Sequence, residues 1–309
     1  MLHISDEMVD AAISAEDAQG VLLDAFLQFG SGRAAMQKRE RTDSGGVKLS
    51  TLGAVIPGQG VVGAKVYTTI KGQFSFVILL FSAADGRPLA TFDAAALTRR
   101  RTAACSVLAA KRLARPGAAV MGLYGAGTQG AEHAAQMAAA FPLVEVLVHD
   151  PYAPAGFAQR LSDRIGVPVL EKEPTAIAES ADIVVTASRS TTPLFHGAAL
   201  KAGAFVAAIG SSLPHTRELD DDALRRAKRL VVEWRPQSLA EAGDVVLAGP
   251  GVLPDERIVE LADVLAGNVL RSTADELFIY KSVGVGLEDV ALAGLAYRRI
   301  AESRGLPQP

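Results

Sequence analysis

Six consecutive residues, Gly125-Ala126-Gly127-Thr128-Gln129-Gly130, have the types and spacing that hold a dinucleotide pyrophosphate. In a G-x-G-x-x-G turn the first glycine makes the bend and the second lets a phosphate approach the backbone. The third lets a helix pack closely on the strand, and the helix N-terminus offers N–H groups and partial positive charge. The surroundings supply those parts: the apolar run AVMGLYG enters the turn and the Ala-rich stretch Ala131–Ala140 leaves it. A second apolar run, VEVLVHD, ends at Asp150, about twenty residues beyond the last glycine, where a carboxylate can accept both ribose hydroxyls of an adenosine. Its charge opposes a 2′-phosphate, and the nearest downstream arginine is Arg160. NAD(H) is therefore favoured, with NADP(H) as the alternative.

Such a turn works only at the end of a strand in a parallel sheet. From Ala118 the runs AVMGLYG, VEVLVHD, ADIVVTAS, AFVAAIG and RLVVEW alternate with helical patterns, the βαβ rhythm of a sheet covered on both faces. The preceding ninety or so residues differ in texture. A helical pattern over Ser14–Phe29 leads to extended segments at Arg33–Thr42, Val47–Ile56, Val61–Thr69 and Gln73–Ser82, with turn signals at Asp43-Ser44-Gly45-Gly46 and Asp85-Gly86; this predicts an antiparallel or mixed sheet. Asp93 is placed to cap a long helix reaching Leu113, with Leu97, Ala104 and Leu108 on its buried face. Arg115-Pro116-Gly117 punctuates the change, and an amphipathic helix from about Leu287 to Glu302 closes the chain. The expected fold class is α/β: a Rossmann-type, doubly wound parallel sheet over 116–285, plus a smaller α+β domain from 1–115 joined by 286–309.

Composition narrows the function classes. With 49% hydrophobic and 21% charged residues and a net charge of −3, the 309 residues suit two buried-core domains, and no basic run invites nucleic acid. The longest apolar stretch, Phe76–Phe81, is too short for a bilayer, and the acidic N-terminal segment is unlike a secretion signal. The single cysteine, Cys105, fits a reducing compartment and reads as core. A soluble cytoplasmic protein is expected. The five histidines are scattered without ligand spacing, so no metal is expected; His215 reads as a surface loop residue, Trp234 as packing and Lys281 as a strand-end charge.

Five ordered motifs carry a resemblance. Arg101-Thr102-Ala103-Ala104, the glycine turn with Gln129, Ala181-Asp182-Ile183-Val184-Val185-Thr186, GSSLPHTRELD over Gly210–Asp220, and Lys281-Ser282-Val283-Gly284 followed by Glu288-Asp289 together resemble the ornithine cyclodeaminase/mu-crystallin family over nearly the whole chain. The resemblance implies a Rossmann domain beside a substrate domain that also forms a homodimer. It also implies cofactor contacts from Thr186, Ser188, Ser282 and Gly284, in addition to Gly125, Gly127, Thr128, Gln129, Gly130 and Asp150.

The family's substrate shell maps onto Lys65, Arg101 and one of Arg39 and Arg41. Arginine's planar fork pairs bidentately with a carboxylate and can fix an α-carbon for hydride transfer. Lys65 lies inside an apolar strand, and Arg101 is the third arginine of a run at the head of an apolar helix. Family cyclodeaminases carry an aspartate where this chain has Ser212, a serine shared with ketimine reductases. Lys65, Arg101 and Ser212 are the expected catalytic set. The reading that follows is an NAD(P)H-dependent reductase of small cyclic ketimine acids such as 1-pyrroline-2-carboxylate and 1-piperideine-2-carboxylate. Rossmann strand-end loops are expected to meet the cations across an interdomain cleft. Ornithine cyclodeaminase, an amino-acid dehydrogenase such as alanine dehydrogenase, and a non-catalytic cofactor- and ligand-binding protein of the mu-crystallin type are the alternatives.

Overall fold

The computed structural model describes Met1–Pro309, and its contacts divide the chain into two compact units: Met1–Ala104 with Gly284–Pro309, and Cys105–Val283. The first begins with β1 (Leu2–Ile4), α1 (Asp6–Ala12) and α2 (Ala15–Gly30). The last of these starts at a reciprocal cap: Asp17 N–H donates to Ser14 Oγ at 3.1 Å and Ser14 N–H to Asp17 Oδ2 at 2.9 Å. Next come β2 (Ala35–Met36), β3 (Glu40–Ser44), β4 (Val47–Ile56), β5 (Val61–Ile70), β6 (Gln73–Ser82) and β7 (Pro88–Asp93). They form one mixed sheet in the order β1-β7-β6-β5-β4-β2, with β3 also on β4 and only β1 parallel to its neighbour. At the β3–β4 turn Gly45 and Gly46 both adopt positive φ, 58° and 77°, as a two-residue hairpin requires.

Strand alternation gives this sheet two unlike faces. Lys65 stands in register with Leu52 and Ile78 on the face packed by helices. On the opposite face Leu49, Val55, Ile70 and Val77 remain 43–46% exposed.

Two local expectations need correction. The extended segment Arg33–Thr42 is two short strands: Gln37 N–H still bonds the Gly53 carbonyl at 2.9 Å, the register on β4 then shifts by one residue before Glu40, and within the break Arg39 turns its guanidinium onto the Gly284 carbonyl. Asp93 ends β7 and faces His3 instead of capping a helix. The helix that follows, α3 (Ala95–Leu113), takes its cap from far away: Ala96 N–H donates to Asp6 Oδ1 at 2.8 Å.

The second unit repeats strand and helix: β8 (Val120–Tyr124), α4 (Thr128–Ala140), β9 (Glu145–His149), α5 (Phe157–Ile165), β10 (Val169–Glu171), α6 (Pro174–Ser180), β11 (Ile183–Thr186) and β12 (Phe205–Ala208). It continues through α7 (Asp221–Arg226), β13 (Ala227–Val232), α8 (Arg235–Glu241), α9 (Gly243–Val246), β14 (Ile258–Glu260), α10 (Leu261–Leu265) and β15 (Leu277–Lys281). All eight strands are parallel, ordered β10-β9-β8-β11-β12-β15-β13-β14. β11, β12 and β15 are buried at every residue, which explains their unbroken apolar runs. Strand order reverses between β8 and β11, the topological switch point where sheets of this kind take ligands at their C-terminal ends. This is a Rossmann-type α/β layer.

The chain then returns to the first unit as α11 (Gly286–Ser303), which packs on β4, β5 and α2. Gly286 is needed there, since a Cβ would stand 2.4 Å from the Gly53 carbonyl oxygen. Every residue from Gly286 to Gly294 is buried, so the one-sided pattern read from the sequence begins only afterwards, and Glu288 and Asp289 are carried into the interior. No helix is long and apolar enough to cross a membrane.

Candidate functional site

The glycine turn has the shape its spacing requires. Gly125 sits at φ 111°, and a Cβ there would lie 2.5 Å from the Ala187 carbonyl oxygen. A Cβ on Gly130 would come within 2.0 Å of the Gly125 oxygen, so the packing of α4 on β8 depends on that glycine. Beside Gly127 the space is open, with no atom within 4 Å of where a Cβ would stand, and no side chain caps the helix that starts at Thr128. That start lies ahead of the Ala-rich stretch read from the sequence, so Thr128 and Gln129 belong to the first turn. The uncapped amides form a cradle that suits an anionic pyrophosphate.

Asp150 follows β9 and accepts from Ala126 N–H at 2.7 Å and Tyr152 N–H at 2.8 Å, tying the acid to the glycine turn. A cavity of about 420 Å³ opens beside it, lined by Phe157, Glu171, Lys172 and Glu173 among others. Three carboxylates against one lysine suit ribose hydroxyls better than a 2′-phosphate.

The ends of β11 and β12 are joined by a carboxylate that the sequence reading passed over. Glu218 is fully buried; Oε1 accepts from Ser188 N–H and Oγ–H, both at 2.7 Å. Oε2 accepts from Thr186 Oγ at 2.8 Å and Gly210 N–H at 2.7 Å. Burial pushes the Glu218 carboxyl up, and the nearby Lys281 charge opposes that shift. Asp244 accepts from the amides of Glu218 and Leu219 and contacts the buried Lys281 ammonium at 2.9 Å. Lys281 is thus an interior ion-pair partner rather than a strand-end charge. Ser282 Oγ donates to buried Glu233 at 2.6 Å, and Glu233 also takes the Val283 amide at 2.9 Å.

Ser212, in the loop after β12, is half-buried and its hydroxyl bonds no group of the chain. His215 is exposed in the same loop, and Cys105 is buried. No group of three or more His, Cys, Asp or Glu side chains is arranged to hold a metal ion.

In the first unit the expected cations converge. Lys65, 3% exposed, lies 3.3 Å from Asp289 Oδ1 and donates to Thr98 Oγ at 2.7 Å. Arg101 Nε reaches the same Asp289 oxygen at 3.2 Å, and its Nη1 pairs with Glu288 at 2.5 Å. Arg99 and Arg100 turn outward to Asp10, so only the third arginine of the run enters the cluster. The Lys65 ammonium also lies 4.5 Å from the centre of the Phe76 ring. Burial lowers Lys65 to about 8, with Asp289 opposing and the charges of Arg101 and Arg39 adding to the shift. Arg39 therefore belongs to this electrostatic cluster. Arg41 is half-buried on β3 opposite Ser50, whose row on β4 and β5 is Tyr67's rather than Lys65's. Gly284 joins the same group: its carbonyl accepts from Arg39 at 2.7 Å, and a Cβ would press within 2.6 Å of the Arg101 guanidinium.

The sequence reading missed the roles of Glu218, Glu233, Asp244 and the Glu288–Asp289 pair. A usable signal was there, since Glu288 and Asp289 interrupt the apolar first half of the last helix and Glu233 directly follows an apolar strand end. Acids in such positions need interior partners.

Residues 4–304 match the family model for the ornithine cyclodeaminase/mu-crystallin family. Mouse ketimine reductase mu-crystallin is 30% identical over 93% of this chain and 96% of its own. The crystal structure of a probable ornithine cyclodeaminase from Bordetella pertussis superposes with TM-score 0.99 and 68% identity, covering 100% of both chains. Thermococcus litoralis Δ1-pyrroline-2-carboxylate reductase in complex with NADH and L-proline superposes with TM-score 0.92 and 27% identity, again over 100% of both.

Proposed function

Because this chain belongs to the ornithine cyclodeaminase/mu-crystallin family, we propose that it is an NADH-dependent reductase of cyclic ketimine acids, taking 1-pyrroline-2-carboxylate or 1-piperideine-2-carboxylate to proline or pipecolate. One observation carries the reading: Lys65 and Arg101, far apart in sequence, meet on a single Asp289 oxygen. With Lys65 protonated, Lys65, Arg101 and Arg39 bring three positive charges against the two carboxylates Glu288 and Asp289. A cluster this rich in cations suits a substrate that carries a carboxylate. Support from relatives comes from the mouse ketimine reductase and from the Thermococcus reductase with its NADH and L-proline.

A bound reduced nicotinamide would supply the hydride that adds to the C=N carbon. Gly127 and the first turn of α4 would hold its pyrophosphate and Asp150 its ribose. Lys65, Arg101 and Arg39 grip the acid and so fix the neighbouring carbon for attack; such orientation alone can contribute several kcal/mol, on the order of 7–11 in favourable cases. The ring nitrogen takes its proton from water, and the unpaired Ser212 hydroxyl is free to hydrogen-bond it.

The 68% identity with a probable ornithine cyclodeaminase favours a second reading, ornithine to proline with loss of ammonia. Ser212 argues against it, because amine oxidation and ammonia loss call for a positioned base. The acids near its loop are committed elsewhere: Glu218 is 0% and Asp244 1% exposed, each tied to backbone amides. NADH oxidation with the five- and six-membered ketimines, run beside ornithine with NAD, separates the readings. Turnover of a ketimine without ammonia release from ornithine is the expected result; ammonia release with substoichiometric NAD reverses the choice.

The working form proposed is a homodimer. The uncovered face of the first unit's sheet, with Leu49, Val55, Ile70 and Val77 exposed on adjacent strands, is the kind of apolar patch that a second copy covers.

A further inference from the structure

We infer that Glu218 is a positioning residue that locks the loops after β11 and β12 into the shape that receives the nicotinamide end of the dinucleotide. The inference rests on the reading of the second unit as the cofactor carrier. It goes beyond that reading by assigning a role to a residue that touches neither cofactor nor substrate.

Each Glu218 oxygen takes one backbone amide from a different loop. Oε1 holds Ser188 N–H after β11, and Oε2 holds Gly210 N–H after β12. The remaining capacity is filled by the hydroxyls of Ser188 and Thr186. Those two hydroxyls are therefore turned inward, and what the loops present to a ligand is the backbone that Glu218 fixes. The loops also touch directly: a Cβ on Gly210 would lie 2.1 Å from the Ser188 carbonyl oxygen and 2.5 Å from Glu218 Oε1. Behind the clasp, Asp244 Oδ1 fixes the Glu218 and Leu219 amides, and Lys281 stands against the other Asp244 oxygen. Ser212 lies within the loop that the clasp closes, between Gly210 and Glu218.

This arrangement needs a carboxylate rather than merely a polar group of that size. A glutamine has one acceptor oxygen and one NH₂. Whichever way it is turned, the NH₂ faces a backbone N–H of one loop, and that loop is released. E218Q is thus an isosteric change with a defined fault.

The experiment measures backbone amide exchange in the cofactor-free protein and NADH affinity by fluorescence titration, for wild type and E218Q. Exchange protection is expected to fall at Ser188 or Gly210, and the NADH Kd to rise roughly tenfold, about the loss of one charge-assisted hydrogen bond. Unchanged exchange at both amides overturns the clasp. Faster exchange with an unchanged Kd overturns the positioning role and leaves the dinucleotide reading standing. Wild type that binds neither NADH nor NADPH overturns that reading and the role with it. Should E218Q fail to fold, T186V removes a single donor without changing shape. The same two measurements are then expected to move in the same direction by roughly threefold, and no movement in either one overturns the inference.

Discussion

On the proposed function, Lys65 gives the sharpest handle on substrate binding. It is 3% exposed and held down to about 8, first by burial, with Asp289 as the opposing charge that keeps it from falling further. As the ammonium deprotonates it stops pairing with the substrate acid. Losing one charge-assisted hydrogen bond costs about 1.5–3 kcal/mol, and a group titrating at about 8 loses its proton almost completely over this range, so KM for the ketimine should rise roughly 10- to 25-fold as pH passes from 7 to 9.5. Asp289→Asn removes the charge 3.3 Å away, and the rise in KM should then begin roughly 1–3 pH units lower. Steady-state NADH oxidation across pH 6–9.5 measures both profiles. Titration of the substrate's own imine moves the two alike, so their difference is diagnostic. Superimposable profiles, or a KM independent of pH in both, would refute the placement of Lys65 on the substrate acid. The stability linkage has the opposite sense to that of a lysine with a raised pKa. Between about 8 and 10.5 the unfolded chain keeps a proton that the folded chain has lost. Lys65's contribution to stability therefore rises with pH across that window, by about 3 kcal/mol.

Arg101→Ala should lower kcat/KM more than 100-fold, on the order of the 3 kcal/mol that a charged contact is worth. It should also destabilise the fold by roughly 3–5 kcal/mol, because Glu288 and Asp289 are left buried and under-neutralised; thermal melting separates the two effects. Asp150→Ala should weaken NADH by roughly 10- to 100-fold while sparing NADPH or improving it, read as the ratio of the two Kd values. Equal losses for both cofactors would remove the ribose assignment. Val77→Asp, on the uncovered sheet face, should shift the protein to monomers in light scattering and leave its melting temperature within a few degrees.

Some of this was legible in the residues because local spacing sufficed. The glycine turn is six residues whose neighbours announce a strand and a helix, and Lys65 stood out because an apolar strand has no solvent to offer an ammonium. Arg101 was separated from Arg99 and Arg100 by its match to the family motif, at the point where the helix turns apolar. What escaped depends on pairings that sequence distance hides. Asp6 caps α3 across ninety residues, and neither end of that contact carries a local mark. Glu218 looks like one acid among several in TRELDDD, and only the folded loop shows two strand ends hanging on it. The break between β2 and β3 holds Arg39, which reaches Gly284, a partner 245 residues away. β15, whose segment is not among the apolar runs read from the sequence, enters the sheet between β12 and β13, out of chain order.

The most direct test of the account follows the hydride itself. With NADH deuterated at C4 and 1-pyrroline-2-carboxylate as substrate, mass spectrometry of the product should show one deuterium, at C2 of proline. Proline carrying no deuterium when either face of the nicotinamide is labelled, or no proline at all under saturating cofactor, would contradict it.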